Sequence, residues 1–216
     1  NPTHVINANG HNDVSASSIT INAKTNGNSY TRFVDVVLGG NGLYVCTQTG
    51  VAGSVVLNGQ TGTIVDGGVT WTFLGPLPAT STQRNWAIAY AQRCNVNEQI
   101  KAALPSAIII AQPVLPDTTS TDNWASDAQT PNTGWGNLID SKQALYNAKV
   151  RSLDPLAGES AFVDLNTVGN QPGATLAIWS YSPLSVPKWM TGDGTHPNSH
   201  GYPLLATKYQ RSVILP

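Results

Sequence analysis

The chain has 216 residues, of which 40% are hydrophobic and only 11% charged, with 11 Lys+Arg against 12 Asp+Glu and a formal net charge of -1. That length and apolar content suit one ordinary domain, or one domain with a small added module, and the charge balance leaves no basic footprint for nucleic acid. No run approaches the ~20 apolar residues of a membrane span, and the residues from Asn1 onward do not read as a signal peptide, which a missing upstream piece would be the place to carry.

In chain order, Thr3-His4-Val5-Ile6-Asn7-Ala8 predicts a short buried strand. It runs into Asn9-Gly10-His11-Asn12-Asp13, a turn cluster of the kind found where a sheet opens onto its carboxyl edge. Residues 14–79 change character: Gly, Asn and Thr punctuate short β-prone runs at 18–23, 32–38, 43–47, 54–57, 62–65 and 69–74. Asn41-Gly42, Asn58-Gly59 and Asp66-Gly67 are turn signals. This segment reads as an inserted all-β module. Its Tyr44 and Trp71 either stack on sugar rings or form the aromatic core of a module too small to bury much else, and the core reading is favoured.

At Thr80 the pattern turns helical. Thr80-x-x-Gln83 is a capping box ahead of a long helix with Trp86, Ile88, Ala89, Val96 and Ile100 as its apolar positions, ended by Pro105. Ala107-Ile108-Ile109-Ile110-Ala111 is a continuous apolar run, as expected for a parallel strand buried on both faces. Residues 112–136 form a long polar loop carrying Trp124 and Trp135, which either line a substrate groove or pin the loop to the core. Asn137 is expected to cap a helix reaching about residue 152, with Leu138, Leu145 and Ala148 facing inward. A strand at 161–165 follows. The irregular run 166–190 brings Trp179, Tyr181 and Trp189 toward the next motif as one wall of a site, and a terminal helix near 203–213 offers Leu204, Leu205 and Tyr209 to the sheet.

The expected fold class is therefore α/β: a three-layer α/β/α domain with a mostly parallel sheet, built from 1–13 and 80–216, plus a small inserted all-β module at 14–79. Cys46 and Cys94 fall in different units, and each reads as a small buried residue rather than half of a disulfide.

The chemistry concentrates near the end, in Gly192-Asp193-Gly194-Thr195-His196-Pro197. An Asp three residues before a His can close a single turn and hold the imidazole. A His used as general base needs such a carboxylate to fix its tautomer while its other nitrogen faces a nucleophile. Taken alone, the spacing also suits a polar surface turn. His200 lies close by, but two His and one Asp on a Pro-Gly loop make no recognised metal-ligand spacing, so no metal is expected, and base-activated nucleophilic catalysis of this kind needs no cofactor.

Gly10-x-Asn12-Asp13 after a strand, together with Asp193-x-x-His196-Pro197 and Gly201-Tyr202 before a final helix, resembles the third and fifth sequence blocks of the SGNH (GDSL-like) hydrolases. The resemblance implies Asn12 as an oxyanion-hole donor, His196 as base and Asp193 as its orienter. It also implies a Gly-Asp-Ser block bearing the nucleophile, and the chain contains none: Gly192-Asp193 is followed by Gly194, and Gly158-Glu159-Ser160 runs straight into a strand. The chain thus reads as the C-terminal portion of such a hydrolase, with its first strand and nucleophilic Ser on a segment not in this chain; truncation, nicking or an inactive relative are the other accounts of that gap. The run from Tyr44 to Trp71 is loosely similar to small β modules of phage tail proteins.

These features imply a serine esterase deacetylating an O-acetylated carbohydrate or polysaccharide, with Trp124, Trp135, Trp179 and Trp189 as candidate substrate contacts. Its expected partners are the Ser-bearing segment and the carbohydrate ester, with no nucleic acid and no membrane. Polarity drawn from Asn, Thr, Ser and Gly suits an extracellular or virion-associated setting. The rival is a non-catalytic carbohydrate-binding or phage-tail structural protein on a degenerate hydrolase scaffold, for which the missing Ser argues.

Overall fold

The computed structural model describes residues 2–8, 20–78, 84–114, 118–120, 129–131, 142–163, 199, 202–203 and 206–207. Strand β1 (His4–Asn7) comes first. Then follow β2 (Ser29–Tyr30), β3 (Val36–Gly39), β4 (Gly42–Gln48), β5 (Gly50–Val51), β6 (Thr63–Asp66) and β7 (Val69–Pro76). Helix α1 (Asn85–Ala103) leads to β8 (Ile108–Ala111), β9 (Thr118–Ser120), β10 (Gln129–Pro131), helix α2 (Lys142–Arg151), a 3-10 turn at Pro155–Ala157 and β11 (Ala161–Phe162). Among the described residues no helix is long and apolar enough to cross a membrane.

The protein is a mixed α/β structure. β1, β8 and β11 form a parallel sheet in the order β1-β8-β11, with His4 opposite Ile108, Asn7 opposite Ala111, and Phe162 opposite Ala111 from the other side. β8 is central, as its run of Ile and Ala predicts, and Ile109, Ile110 and Ala111 are fully buried. Burial on both faces fails at the rim, however: Ile6 and Ile108 are exposed, on the sheet face opposite the one that Asn7 and Ala111 turn to α1.

Between β1 and α1 lies the antiparallel sheet β3-β4-β7-β6, so a β-rich segment occupies the crossover of a βαβ unit. β4 explains its architecture. Leu43 and Val45 face α1, whereas Tyr44 and Cys46 face a second cluster with Leu57, Ile64, Val69 and Trp71, so alternate residues are buried on both sides. Its turns are tight: Gly39 pairs with Gly42 around Gly40-Asn41, and Asp66 with Val69 around Gly67-Gly68. Gly40 and Gly67 both have positive φ, which a side chain would oppose. The first turn lies one residue earlier than the Asn41-Gly42 signal suggested.

Several expected strands are absent or shorter, and their polar partners show why. The run 54–57 is not a strand, because Val55 gives its N–H to Asp66 Oδ1 and its C=O to Lys24 Nζ instead of to a ladder. Within 32–38 the strand begins only at Val36: the N–H groups of Val34 and Asp35 bond the Thr31 carbonyl, and Phe33 adopts φ 54 in the resulting turn. Of 18–23, the described residues show only a bridge between Ala23 and Leu38. The two-residue strands β2 and β5, which pair with each other, carried no legible signal. The loop after β8 is not structureless, since β9 and β10 pair antiparallel within it.

Helix α1 shows the largest difference in packing. Ile88, Val96 and Ile100 are only half-buried, whereas Trp86, Tyr90, Arg93, Cys94 and Asn97 are fully buried. The helix is covered on two sides, by Leu43, Val45 and Leu74 of the antiparallel sheet and by Ala111, Tyr146 and Val150, so its buried stripe is wider than that of a surface helix. Thr80 and Gln83 of the expected capping box lie outside the described residues; the helix begins at Asn85, and Arg84 contributes no side-chain cap. On α2, Ala148 is exposed rather than inward, and Tyr146, Asn147 and Val150 face the core with Leu145 packed beside them. Asn137 and Leu138 lie outside the described residues, as do Leu204, Leu205 and Tyr209 of the terminal helix; 202–203 and 206–207 are helical.

Candidate functional site

A parallel sheet concentrates chemistry at its carboxyl edge, where successive connections leave in one direction. Here β1, β8 and β11 end at the same level, because Asn7, Ala111 and Phe162 are register partners across the three strands. The segment bearing Asn12 departs five residues earlier from Asn7, the segment bearing Trp124 and Trp135 follows Val114, and the long segment bearing Trp179, Trp189, Asp193 and His196 follows Val163. Asn12, Asp193, His196, Trp124, Trp135, Trp179, Trp189, Tyr181 and His200 themselves lie outside the described residues. What the structure describes is the floor beneath that edge.

The floor is polar where the sequence predicted apolar packing. Arg93, from the middle of α1, donates its Nε to Glu159 Oε1 at 2.5 Å, an Nη1 hydrogen to the Tyr146 hydroxyl at 3.2 Å, and an Nη2 hydrogen to the main-chain carbonyl of Asn7 at 3.1 Å. One turn on, Asn97 accepts from Asn7 Nδ2 at 2.6 Å and donates to Ala157 O at 2.9 Å and Glu159 Oε1 at 3.0 Å. The Arg93 and Glu159 side chains are 0% and 1% exposed. Burial opposes the charge on Arg93, but Tyr146 and Glu159 outweigh it and hold its pKa above the ordinary value. Among the described residues, Glu159 Oε2 is buried and finds no hydrogen-bond partner.

A second fixture lies beside the exit of β8. Asn147 of α2 accepts from the Val114 N–H at 2.7 Å and donates to the Val114 carbonyl at 2.9 Å, so one buried side-chain amide takes both main-chain groups, as a neighbouring strand would. Tyr146, next to it on α2, joins this fixture to Arg93.

The described residues do not themselves contain a nucleophile and base. Their one histidine, His4, stands at the amino end of β1 with Nδ1 against Thr3 Oγ1, and no Ser–His or Cys–His hydrogen bond forms among them. Both cysteines are free and buried. Burial, with Glu159 and Asp154 nearby, pushes the Cys94 thiol up to about 12, and burial likewise raises Cys46, so neither is a thiolate at neutral pH. Ser160 precedes β11 and donates its N–H to Ile109 O, which puts it toward the amino end of the sheet, as the sequence reading of 158–160 implied.

Tyr44 and Trp71 are fully buried and so form the module's core; sugar stacking is not available to them. The Tyr44 hydroxyl shares its proton between Leu57 O at 2.5 Å and Gln60 O at 2.7 Å, and the Trp71 indole donates to Asp66 Oδ2 at 3.2 Å while meeting Tyr30 edge-on.

Sequence reasoning missed Asn7, Arg93, Asn97, Tyr146, Asn147 and Glu159. A signal for two of them existed: Trp86, Tyr90, Arg93 and Asn97 recur at helical spacing, so with Trp86 and Tyr90 buried, Arg93 and Asn97 fall on the same face. Compared with known proteins, the chain matches no protein-family profile, no curated protein and no solved structure.

Proposed function

We propose that the chain is the C-terminal portion of a serine esterase of SGNH type, a three-layer α/β/α hydrolase domain with a β module in its first crossover, which removes acetyl groups from a carbohydrate. A Ser carried by a segment outside this chain attacks the acyl carbon. His196 takes its proton and passes it to the leaving alcohol, Asp193 orients the imidazole and stabilises its protonated form, and the Asn12 side chain donates to the oxyanion. Water, activated by His196, then releases acetate from the acylated Ser. The reaction uses no cofactor.

The observation that carries this reading is the register of the parallel sheet. Asn7, Ala111 and Phe162 end together, and Asn12 is only five residues beyond Asn7, which keeps it within about 18 Å of that edge even along a fully extended chain. An active site built from strand-following segments belongs there. The aromatic-rich segments that follow β8 and β11 supply surfaces on which a sugar ring can stack. Absence of a Gly-Asp-Ser block from the sequence favours a second reading, a carbohydrate-binding or tail structural protein without catalysis.

Acetate release from an acetylated polysaccharide separates the two. The chain alone is expected to match its His196→Ala variant. Joined to the Ser-bearing segment it is expected to hydrolyse the ester, with His196→Ala abolishing turnover and Asn12→Ala lowering kcat by roughly 10²–10³. No turnover by the joined protein selects the non-catalytic reading; His196-dependent turnover by the chain alone means that the nucleophile lies within it.

A further inference from the structure

We propose that Arg93, Asn97 and Asn147 are positioning residues that fix the directions in which the chain leaves β1 and β8. The proposal rests on the reading of the carboxyl edge as the active site, and it concerns how that edge is held. Arg93 and Asn97 grip the last residue of β1 by its main-chain carbonyl and its side-chain amide respectively. Asn147 grips Val114, three residues beyond the end of β8, by both of its main-chain groups.

The targets distinguish positioning from simple stabilisation. A buried ion pair such as Arg93–Glu159 is no better than well-packed apolar side chains for stability, since desolvation offsets its attraction. Apolar packing is non-directional, however, whereas a guanidinium carries donors in a fixed fork. Arg93 uses that fork to tie three elements together: the Asn7 carbonyl at the end of β1, Tyr146 on α2 and Glu159 before β11. Asn147 likewise occupies the place of a strand partner at a residue where the ladder has stopped. Both fixtures are buried, with Arg93 and Asn97 1% and Asn147 4% exposed, so solvent does not compete for their hydrogen bonds. Tyr146 links them, which makes the two exits one rigid unit.

Two variants test this. Arg93→Met combined with Glu159→Leu replaces the ion pair by apolar side chains, and Asn147→Ala removes the second fixture while leaving the pair intact. The expected result for the first is an unchanged melting temperature with amide exchange accelerated roughly tenfold at residues 5–8, because the end of β1 opens more often once its carbonyl loses about one hydrogen bond's worth of restraint. For the second it is the same acceleration confined to Gln112 and to Val114, whose N–H loses its acceptor. In the protein joined to its Ser-bearing segment, kcat for acetate release falls in both while KM holds, because substrate contacts are untouched and the reacting groups are misplaced. Should the double variant not fold, Asn147→Ala carries the test. Local acceleration in a protein that releases no acetate upholds the positioning role and overturns the esterase reading. Unchanged exchange at both exits, or acceleration spread evenly over the chain with a lowered melting temperature, overturns the positioning role.

Discussion

At the scale of single residues, Asp66 shows how one carboxylate holds the antiparallel sheet together. It accepts from Lys24 Nζ at 2.7 Å, from the Val55 N–H at 3.0 Å and from the Trp71 indole, while Lys24 also binds the carbonyls of Gly53 and Val55. Burial pushes the Asp66 carboxyl up, but Lys24, the Val55 N–H and Trp71 together pull it further down, so it lies below the ordinary carboxylate range. Because the folded value is the lower one, the stabilisation is complete above the unfolded value of about 3.9 and is lost as pH falls through the folded value. Unfolding free energy should therefore drop more steeply below about pH 4 in the native chain than in Asp66→Asn; parallel slopes would contradict the assignment. Removing one partner of the buried pair, as in Asp66→Ala, should cost about 3–5 kcal/mol by denaturant unfolding. Pairing Lys24→Met with Asp66→Leu should cost less than Asp66→Ala alone, since no charge is then left buried without its partner.

At the scale of elements, helix α1 is the hinge of the architecture because it serves two sheets. Trp86 is 3% exposed, with its ring 3.5 Å from where a side chain at Gly75 of β7 would begin, and the same cluster reaches Ala111 of β8. Trp86→Ala should cost about 3–5 kcal/mol and loosen both sheets together. Calorimetry showing that the antiparallel sheet melts separately and is unaffected by Trp86→Ala would mean that the helix does not join them. The helices and the parallel strands were legible because their signals are local: an apolar run gives β8, and Pro105 with helical spacing gives α1. What sequence could not supply is which face of α1 is covered twice. Arg93 and Asn97 look like solvent residues until Glu159, from 62 residues beyond Asn97, is placed beside them. The same limit explains 54–57, whose β-prone side chains are overridden by long-range bonds from Lys24 and Asp66.

At the scale of the whole molecule, three parallel strands end in register above a buried polar floor, and that edge is where the proposed site is read. Asn12 and the Asp193-x-x-His196 motif are proposed from their chemistry alone, since nearly the full chain length separates them, no periodicity relates positions so far apart, and they lie outside the described residues. Among the described residues β1 has a strand partner only on its β8 side, so its other edge is where a further strand would pair, consistent with the proposed Ser-bearing segment. The central claim is that Asn12 and His196 meet over this edge. The direct measurement is the distance between spin labels on cysteines introduced at His11 and Thr195, for which the native Cys46 and Cys94, both buried, leave a clean background. A narrow distribution well below the ~30 Å diameter of a small domain is the result this account requires. A distribution centred near that diameter, with the two positions on opposite faces, would contradict it.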